Sequence, residues 1–168
     1  MSETPEDPNQ TPNGEPGNNG PSFAVLTQYL KDMSFESPNA PASFQNAAAP
    51  QMEVNVDVEG RPLAPDQYEV ELTASARATR DDKVIFVVEA SYAGVFEIKN
   101  LPREQLEMAM LVECPRLLFP FMRQIIADAT RNGNYPPLML EPIDFMGIFL
   151  ANKERAQNGA AGQAGSIN

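Results

Sequence analysis

The sequence of 168 residues has no histidine and no tryptophan, and its only cysteine is Cys114. The lack of histidine removes the commonest general base, the commonest metal ligand and every nucleophile that needs a histidine partner. One cysteine cannot form an internal disulfide, which fits a reducing compartment. Cys114 lies in an apolar region directly before Pro115, so we expect a buried, unreactive thiol there rather than a catalytic one.

Positive charge and long apolar runs are also scarce. Twelve lysines and arginines stand against 23 acids, a net charge of -11, and they are scattered singly, which argues against a nucleic-acid-binding surface. An anionic membrane surface would repel this chain, and no apolar run approaches the length that crosses a bilayer. The polar, acidic N-terminus lacks a signal-peptide pattern. We therefore expect a cytoplasmic protein with no nucleic-acid partner and no membrane insertion.

Few residues suggest catalysis or metal binding. The glycines lie at ends and turns, so no phosphate-binding loop is present. Asp81 with Asp82, and Asp57 with Glu59, could bind a hard cation, but exposed turn and strand acids are mostly solvated. A two-carboxylate enzyme stays open at this point, because the sequence does not give the separation of side chains in space. We expect no catalytic residue, no metal and no cofactor.

The two ends of the chain have a composition typical of disorder. Residues 1–21 are rich in proline, glycine and acids, and residues 157–168 offer little that a core could hold. Such segments bury too little apolar surface to offset the entropy of ordering them. We therefore predict a disordered acidic extension at 1–21, one domain at 22–156 and a disordered tail at 157–168.

The first part of the domain shows strand patterns. The period of residues 22–36 fits a helix and a strand equally well, and residues 37–50, with three prolines, indicate a loop that exposes Phe44. Alternation at 54–58 and 68–78 predicts two half-buried strands joined by a turn at 60–65. A hairpin turn at 80–83 precedes a strand whose first residues, 84–88, are apolar on both faces. Such a strand needs cover on both faces, from another element or another subunit.

Helix patterns follow the strands. A short helix is predicted at 106–112, with a break at Cys114 and Pro115, and an amphipathic helix then ends at Gly133 in a left-handed conformation. A second short helix begins near Ile143. The stripe of the amphipathic helix consists of Leu117, Leu118, Phe121, Met122, Ile125, Ile126 and Ala129. Strands first and helices last predict an α+β fold with the helices on one side of an antiparallel sheet.

Apolar side chains exceed what one small domain needs. Burying a large apolar side chain is worth about 1.5–3 kcal/mol, so the stripe alone approaches the net stability of a domain and suggests self-association. Eight methionines suit adaptable binding surfaces. We expect Met108, Phe121 and Met122 to lie in the core. Four phenylalanines remain open between core and binding surface, namely Phe35, Phe44, Phe145 and Phe149.

Three stretches resemble the SecB family of bacterial protein-export chaperones. They are DMSFESPNAPASFQ at 32–45, IFVVEASYAGVF at 85–96 and the run at 114–149 that opens with CPRLLFP and contains YPPLMLEPIDF. The resemblance extends over residues 22–153. It implies a four-stranded antiparallel sheet, a long interrupted helix and a short C-terminal helix, assembled as a homotetramer with the long helices between the sheets of a dimer of dimers. It favours a strand at 22–36 and makes 37–50 the crossover loop.

The resemblance also implies a function and its residues. The family's role is that of a non-enzymatic chaperone that holds newly made precursor proteins unfolded and delivers them to the SecA motor ATPase, whose basic, zinc-bearing tail meets an acidic sheet surface. The matching SecA-binding positions are Asp32, Glu36, Val87 and Glu89. The implied client groove comprises Phe44, Val54, Val56, Val58, Phe145 and Phe149. The oligomer interface would comprise Val88, Ala90, Tyr92, Leu117, Leu118, Phe121, Met122 and Ile125. An oligomeric adaptor with one dedicated folded partner is the rival hypothesis.

Overall fold

The computed structural model describes residues 19–163, with side-chain surroundings described as far as residue 158. Four strands come first, namely β1 (Ser22–Glu36), β2 (Gln51–Ala64), β3 (Gln67–Arg80) and β4 (Lys83–Lys99). Three helices follow, namely α1 (Arg103–Met108), α2 (Cys114–Asn132) and α3 (Phe145–Gln163), and a π-helical turn, Ala109–Glu113, joins α1 to α2. The predicted α+β class with strands before helices is confirmed.

The four strands form one antiparallel sheet in the order β1-β4-β3-β2, so that β1 and β2 are its edges. Alternate residues of β3 and β4 are buried beneath the helices, and these define the helix face of the sheet. The residues between them define the outer face. The buried set on the helix face includes Val70, Leu72, Ala74, Ala76 and Ala78 of β3 and Phe86, Val88 and Ala90 of β4.

The strands agree with the sequence predictions except at the end of β2. Residues 22–36 form β1, the strand that the family resemblance favours. The turn predicted at 60–65 is wrong, because β2 continues to Ala64 and the chain reverses only at Pro65 and Asp66. Pro62 is tolerated inside β2 because an edge strand can lack one backbone donor without losing a ladder bond. The hairpin predicted at 80–83 is confirmed, with Asp81 and Asp82 both at positive φ, as a tight two-residue turn requires.

The helix predicted to break at Cys114 and Pro115 does not break there. The π-helical turn absorbs the irregularity, and Pro115 lies in the first turn of α2, where a missing N–H costs little. The Cys114 side chain is buried, and this burial raises the pKa of the thiol to about 12. The prediction of a buried cysteine is confirmed, and its lack of reactivity stays a prediction.

Helix α2 covers the middle of the sheet through residues spaced four apart. Leu118, Met122, Ile126 and Thr130 are fully buried against β3 and β4. The Thr130 hydroxyl donates to the carbonyl groups of its own helix and accepts the N–H of Leu138 at 2.9 Å, which fixes the chain that leaves α2. The core prediction for Met122 is therefore confirmed. That for Phe121 is wrong in this chain, because its side chain lies at the edge of the core and remains 48% exposed.

The end of α2 differs from the prediction at Gly133. Its φ is -75°, so it is not the left-handed stop, and Asn134 adopts the positive φ instead. Glycine is needed for another reason. A Cβ at this position would lie 2.3 Å from Cζ of Phe35, so only a residue without a side chain lets the β1 ring pack beneath the helix end.

Helix α3 is longer than predicted. Asp144 caps it, accepting the N–H of Gly147 at 3.0 Å, and the helix continues to Gln163 rather than ending as a short helix before residue 157. Once the packed first turns have formed, each further residue adds a hydrogen bond at little cost, so residues 157–163 remain helical. The disorder predicted for 1–18 and 164–168 lies outside the described residues.

Candidate functional site

The first candidate site is a groove between β2 and α3, which we call the α3 groove. It encloses about 490 Å³. Phe145 and Phe149 form its floor and are themselves buried, while Ile148 is 41% exposed on its wall. Lys153 places its ammonium group 5.8 Å from the centre of the Phe149 ring. The remaining lining residues are Val56, Asp57, Val58, Glu107, Leu111, Asn152, Ala156 and Gln157.

The second candidate site lies at the other end of β2, under the crossover loop, and we call it the loop groove. It encloses about 580 Å³. Its centre is aromatic, since the Tyr135 ring lies 5.2 Å from Phe44 and 4.9 Å from Phe86, measured between ring centres. Residues 46–50 of the crossover loop, Met52, Arg80, Ile85 and residues 136–138 complete the lining, together with Ser43 and Asn134.

The two grooves lie on the same face of the same edge strand. Met52, Val54, Val56 and Val58 alternate along the helix face of β2, with Met52 in the loop groove and Val56 and Val58 in the α3 groove. Val54 lies between the grooves and lines neither, but it is exposed. At about 3.3 Å per residue, the path from Met52 to Val58 is about 20 Å long.

The predicted groove residues therefore divide between two sites. Phe44 lines the loop groove, Val54 lies on the path, and the other four line the α3 groove. Sequence reasoning missed Phe86, Tyr135 and Leu138, which line the loop groove beside Phe44. Tyr135 carried a signal, because it is an aromatic residue on a connecting segment between a helix end and two prolines, and binding residues are frequent on such segments.

The outer face of the sheet carries the acids predicted to meet SecA. Register pairs Asp32 with Ser91, Ser34 with Glu89 and Glu36 with Val87, so all four predicted positions lie together on that face. Within residues 19–163, Asp32, Glu36 and Glu89 take part in no ion pair. Arg77 lies beside Val87 on β3, and Lys31, which precedes Asp32 on β1, is paired with Glu69 and Glu71.

A second charged group on the outer face is paired and buried. The Glu69 carboxylate of β3 accepts from the Tyr29 hydroxyl of β1 and the Arg61 guanidinium of β2, and Lys31 lies 3.5 Å away. These hydrogen bonds, first of all that from Arg61, lower the pKa of Glu69 to about 2 from an ordinary 4.5. Because its partners come from both edge strands, Glu69 ties the sheet together from edge to edge.

The third surface is apolar and uncovered. It combines the helix-face side chains of β1 with the exposed side of α2, and we call it the open face. The Phe121 ring stacks on Tyr92 of β4 with the ring centres 5.5 Å apart, and both Phe121 and Leu117 remain largely exposed. The β1 members of the open face are Phe23, Val25, Leu30 and Met33, all of them exposed.

Four residues predicted for the oligomer interface are placed differently. Val88, Ala90, Leu118 and Met122 are at most 1% exposed in the isolated chain, because α2 itself covers the helix face of β4. A side chain without accessible surface cannot contact another copy, so the prediction is wrong for these four. Tyr92, Leu117, Phe121 and Ile125 keep accessible surface, and their interface role stays a prediction.

Open, mainly apolar grooves that continue along an edge strand are typical of proteins that bind extended polypeptides. The described residues offer no group of three or more Cys, Asp or Glu that could hold a metal ion. No helix within residues 19–163 is long and apolar enough to cross a membrane. The grooves along β2 are of the kind found in polypeptide-binding modules.

Comparison with known proteins identifies the family. The profile of "Preprotein translocase subunit SecB" matches residues 16–156. The chain is 47% identical to a protein-export protein SecB of Parvibaculum lavamentivorans, over 90% of this chain and 94% of that one. It is 54% identical to that of Mesorhizobium japonicum, over 79% and 81%. The chain belongs to the SecB family, a non-enzymatic family of protein-export chaperones.

A solved structure supports the fold. The chain matches a SecB-like chaperone of Mycobacterium tuberculosis, determined in complex with a ChAD peptide from the HigA1 antitoxin, with a TM-score of 0.60 at 16% identity. The match covers 73% of this chain and 91% of that one. At this identity the likeness concerns the fold, and it agrees with the sheet and helix arrangement described above.

Proposed function

We propose that this protein binds newly made precursor proteins in an unfolded, export-competent state in the cytoplasm and delivers them to SecA. The observation that carries the proposal is the continuous apolar path along β2, with a groove at each end. About six extended client residues would span its length. The two grooves would take larger apolar side chains, and the exposed Val54 would contact the segment between them.

Such a site needs no deep pocket to hold a client. Each groove gives weak contacts without a fixed sequence, but one long client can engage several grooves at once. The second contact then forms at a high effective concentration, so overall affinity exceeds that of either groove. The client stays unfolded because binding its unfolded form preferentially draws the folding equilibrium toward that form.

Two neighbouring residues of α3 allow a matched test of the α3 groove. Ile148 lines the groove and is 41% exposed, whereas Leu150 is 50% exposed and lies outside it. We expect Ile148→Glu to weaken binding of a reduced, unfolded precursor about tenfold, because a carboxylate would have to be desolvated beside the client. Leu150→Glu should leave the affinity within about twofold. Equal affinities for the two variants would contradict this assignment.

The outer face is the proposed docking surface for SecA. Asp32, Glu36 and Glu89 are acids without an ion pair among the described residues, with Val87 as an apolar neighbour. A basic peptide laid on this face would gain charge complementarity, which mainly raises specificity and association rate. The surface is separate from the client path, since it lies on the opposite side of the sheet, so both partners can bind together.

Charge reversal tests the SecA surface. We expect Asp32→Lys with Glu89→Lys to abolish binding of the SecA C-terminal tail and leave binding of unfolded client intact. The matched control is Glu53→Lys with Glu59→Lys, an equal change of net charge on the outer face of β2, the opposite edge strand, at residues that line neither groove. Tail affinity that survives the first pair, or falls equally with the control, would refute the docking position.

The proposed assembly is a homotetramer joined first through the open face. Its exposed apolar side chains on β1 and α2 are what a second copy would cover. The rival hypothesis, a dedicated adaptor, shares this assembly and differs in client breadth. Binding of several unrelated unfolded polypeptides, but not of their folded forms, supports the chaperone. Binding of a single folded partner alone would support the adaptor.

A further inference from the structure

A tyrosine hydroxyl lies at the centre of the hydrogen bonds that hold the crossover loop, which also include one from the Ser37 hydroxyl to the carbonyl group of Ile85 at 3.3 Å. Tyr135 follows the end of α2, and its phenolic oxygen lies 2.6 Å from the Ser37 Oγ and 2.9 Å from the Ser43 Oγ, both on the loop. The same hydroxyl donates to the carbonyl group of Ile85 on β4 at 3.2 Å. A phenol has one proton and two lone pairs, so it can donate to Ile85 and accept from both serines.

Other hydrogen bonds strengthen the same part of the loop. The Asn39 side chain donates to the carbonyl group of Val84 at 2.7 Å, and the Arg80 guanidinium donates to that of Ser43 at 3.2 Å. Ser43 is buried, although its neighbours on the loop are exposed. Residues 37–43 are thus attached to β3, to β4 and to the segment after α2.

The second part of the loop is attached differently. Within the described chain, the hydrogen bonds of residues 45–49 are local, from the Gln45 N–H to Ala42 and from the Ala48 N–H to the Asn46 side chain. These residues are exposed, yet residues 46–49 form one wall of the loop groove. A wall without bonds to the rest of the domain can move at little cost.

We propose that Tyr135 is a positioning residue of the loop groove. Its hydroxyl fixes residues 37–43 as a pivot, so that residues 45–49 form an adjustable wall that fits client side chains of different size, aromatic ones above all. Its ring meanwhile forms part of the groove, packed against Phe44 and Phe86. The inference rests on the proposed function, because it assigns the loop groove to client side chains.

The test removes the hydroxyl and keeps the ring. Tyr135→Phe should increase amide hydrogen exchange at residues 37–50 in the free protein. It should also weaken binding of an unfolded polypeptide that carries phenylalanines about 3- to 10-fold, because the client must then order the loop. A polypeptide identical except for alanine in place of those phenylalanines should lose less than twofold. A merely structural role would weaken both equally.

Two further variants make the test decisive. Ser37→Ala with Ser43→Ala breaks the same network from the loop side and should reproduce the effect, also if Tyr135→Phe folds poorly. Tyr29→Phe removes a comparable hydroxyl on the outer face, the one that donates to Glu69, and should change neither client affinity. Unchanged loop exchange with unchanged affinity in both loop variants would overturn the inference. Wild-type protein that binds neither polypeptide would instead overturn the proposed function.

Discussion

Removing two side chains from the open face should dissociate the assembly. In the isolated chain Leu117 is 43% and Phe121 is 48% exposed, so about half of each side chain's burial energy is still available to a partner. Full burial of such a side chain is worth about 1.5–3 kcal/mol, which leaves about 1.5–3 kcal/mol for the two together. In a symmetric pair both copies contribute, which gives about 3–6 kcal/mol.

At about 1.4 kcal/mol per tenfold change, the double variant Leu117→Ala with Phe121→Ala should raise the dissociation constant by about two to four orders of magnitude. Sedimentation equilibrium over a range of protein concentrations measures this directly. The control is Leu63→Ala with Met139→Ala, which removes two equally exposed apolar side chains away from the open face. A dissociation constant unchanged in the first variant, or raised equally in the control, would refute the assignment of this face to self-association.

Three further predictions concern the fold. Glu69→Gln should lower the free energy of unfolding at pH 7 by about 1–3 kcal/mol, whereas Glu59→Gln should lower it by less than about 0.5 kcal/mol. Because the pKa of Glu69 is lowered to about 2, the stabilisation by its carboxylate should be full above pH 4.5 and vanish as the pH falls toward 2. A stability difference between wild type and Glu69→Gln that does not depend on pH would contradict this. Gly94→Ala should lower the free energy of unfolding, measured in urea, by about 1–3 kcal/mol. The reason is that a Cβ at this position would lie 2.8 Å from the Phe96 ring and 3.1 Å from Leu118. An unchanged free energy of unfolding would contradict this packing. With its pKa near 12, the Cys114 thiol should resist iodoacetamide at pH 8 until the protein is denatured, and rapid reaction of the folded protein would count against its burial.

The sequence predicted the class and the order of elements well because hydrophobic period is a local property. The alternation on β3 and the four-residue spacing on α2 each follow from which side of one element is buried. The secondary structure of residues 22–36 was ambiguous because a bulge between Val25 and Thr27 interrupts the two-residue alternation of apolar side chains along this edge strand. Only the family resemblance favoured the strand.

Errors arose where packing against distant residues decides the outcome. Gly133 was predicted to end the helix through a left-handed conformation. The position requires glycine for another reason, because the ring of Phe35, nearly one hundred residues earlier in the chain, leaves no room for a side chain there. Pro62 looked like a turn because the sequence does not state that β2 is an edge strand. The interface was predicted too broadly because an apolar stripe on a helix does not show which of its side chains the sheet of the same chain buries. The sheet buries Met122 and leaves Phe121 exposed.

The sites depended on contacts between segments far apart in the chain. The loop groove needs Phe44, Phe86 and Tyr135 to meet, and no local pattern encodes that meeting. The acidic positions Asp32 and Glu89 were supplied by the family resemblance, and the register of β1 with β4 places both on the outer face.

The central claim is that apolar surface left uncovered by one copy binds other copies and unfolded clients. The mass of the purified protein in solution, measured at micromolar concentration with and without a reduced, unfolded precursor, tests this most directly. We expect about four chains of 18.4 kDa, with one client bound per assembly and no requirement for ATP. A monomer of unchanged mass in the presence of the unfolded precursor would contradict the claim.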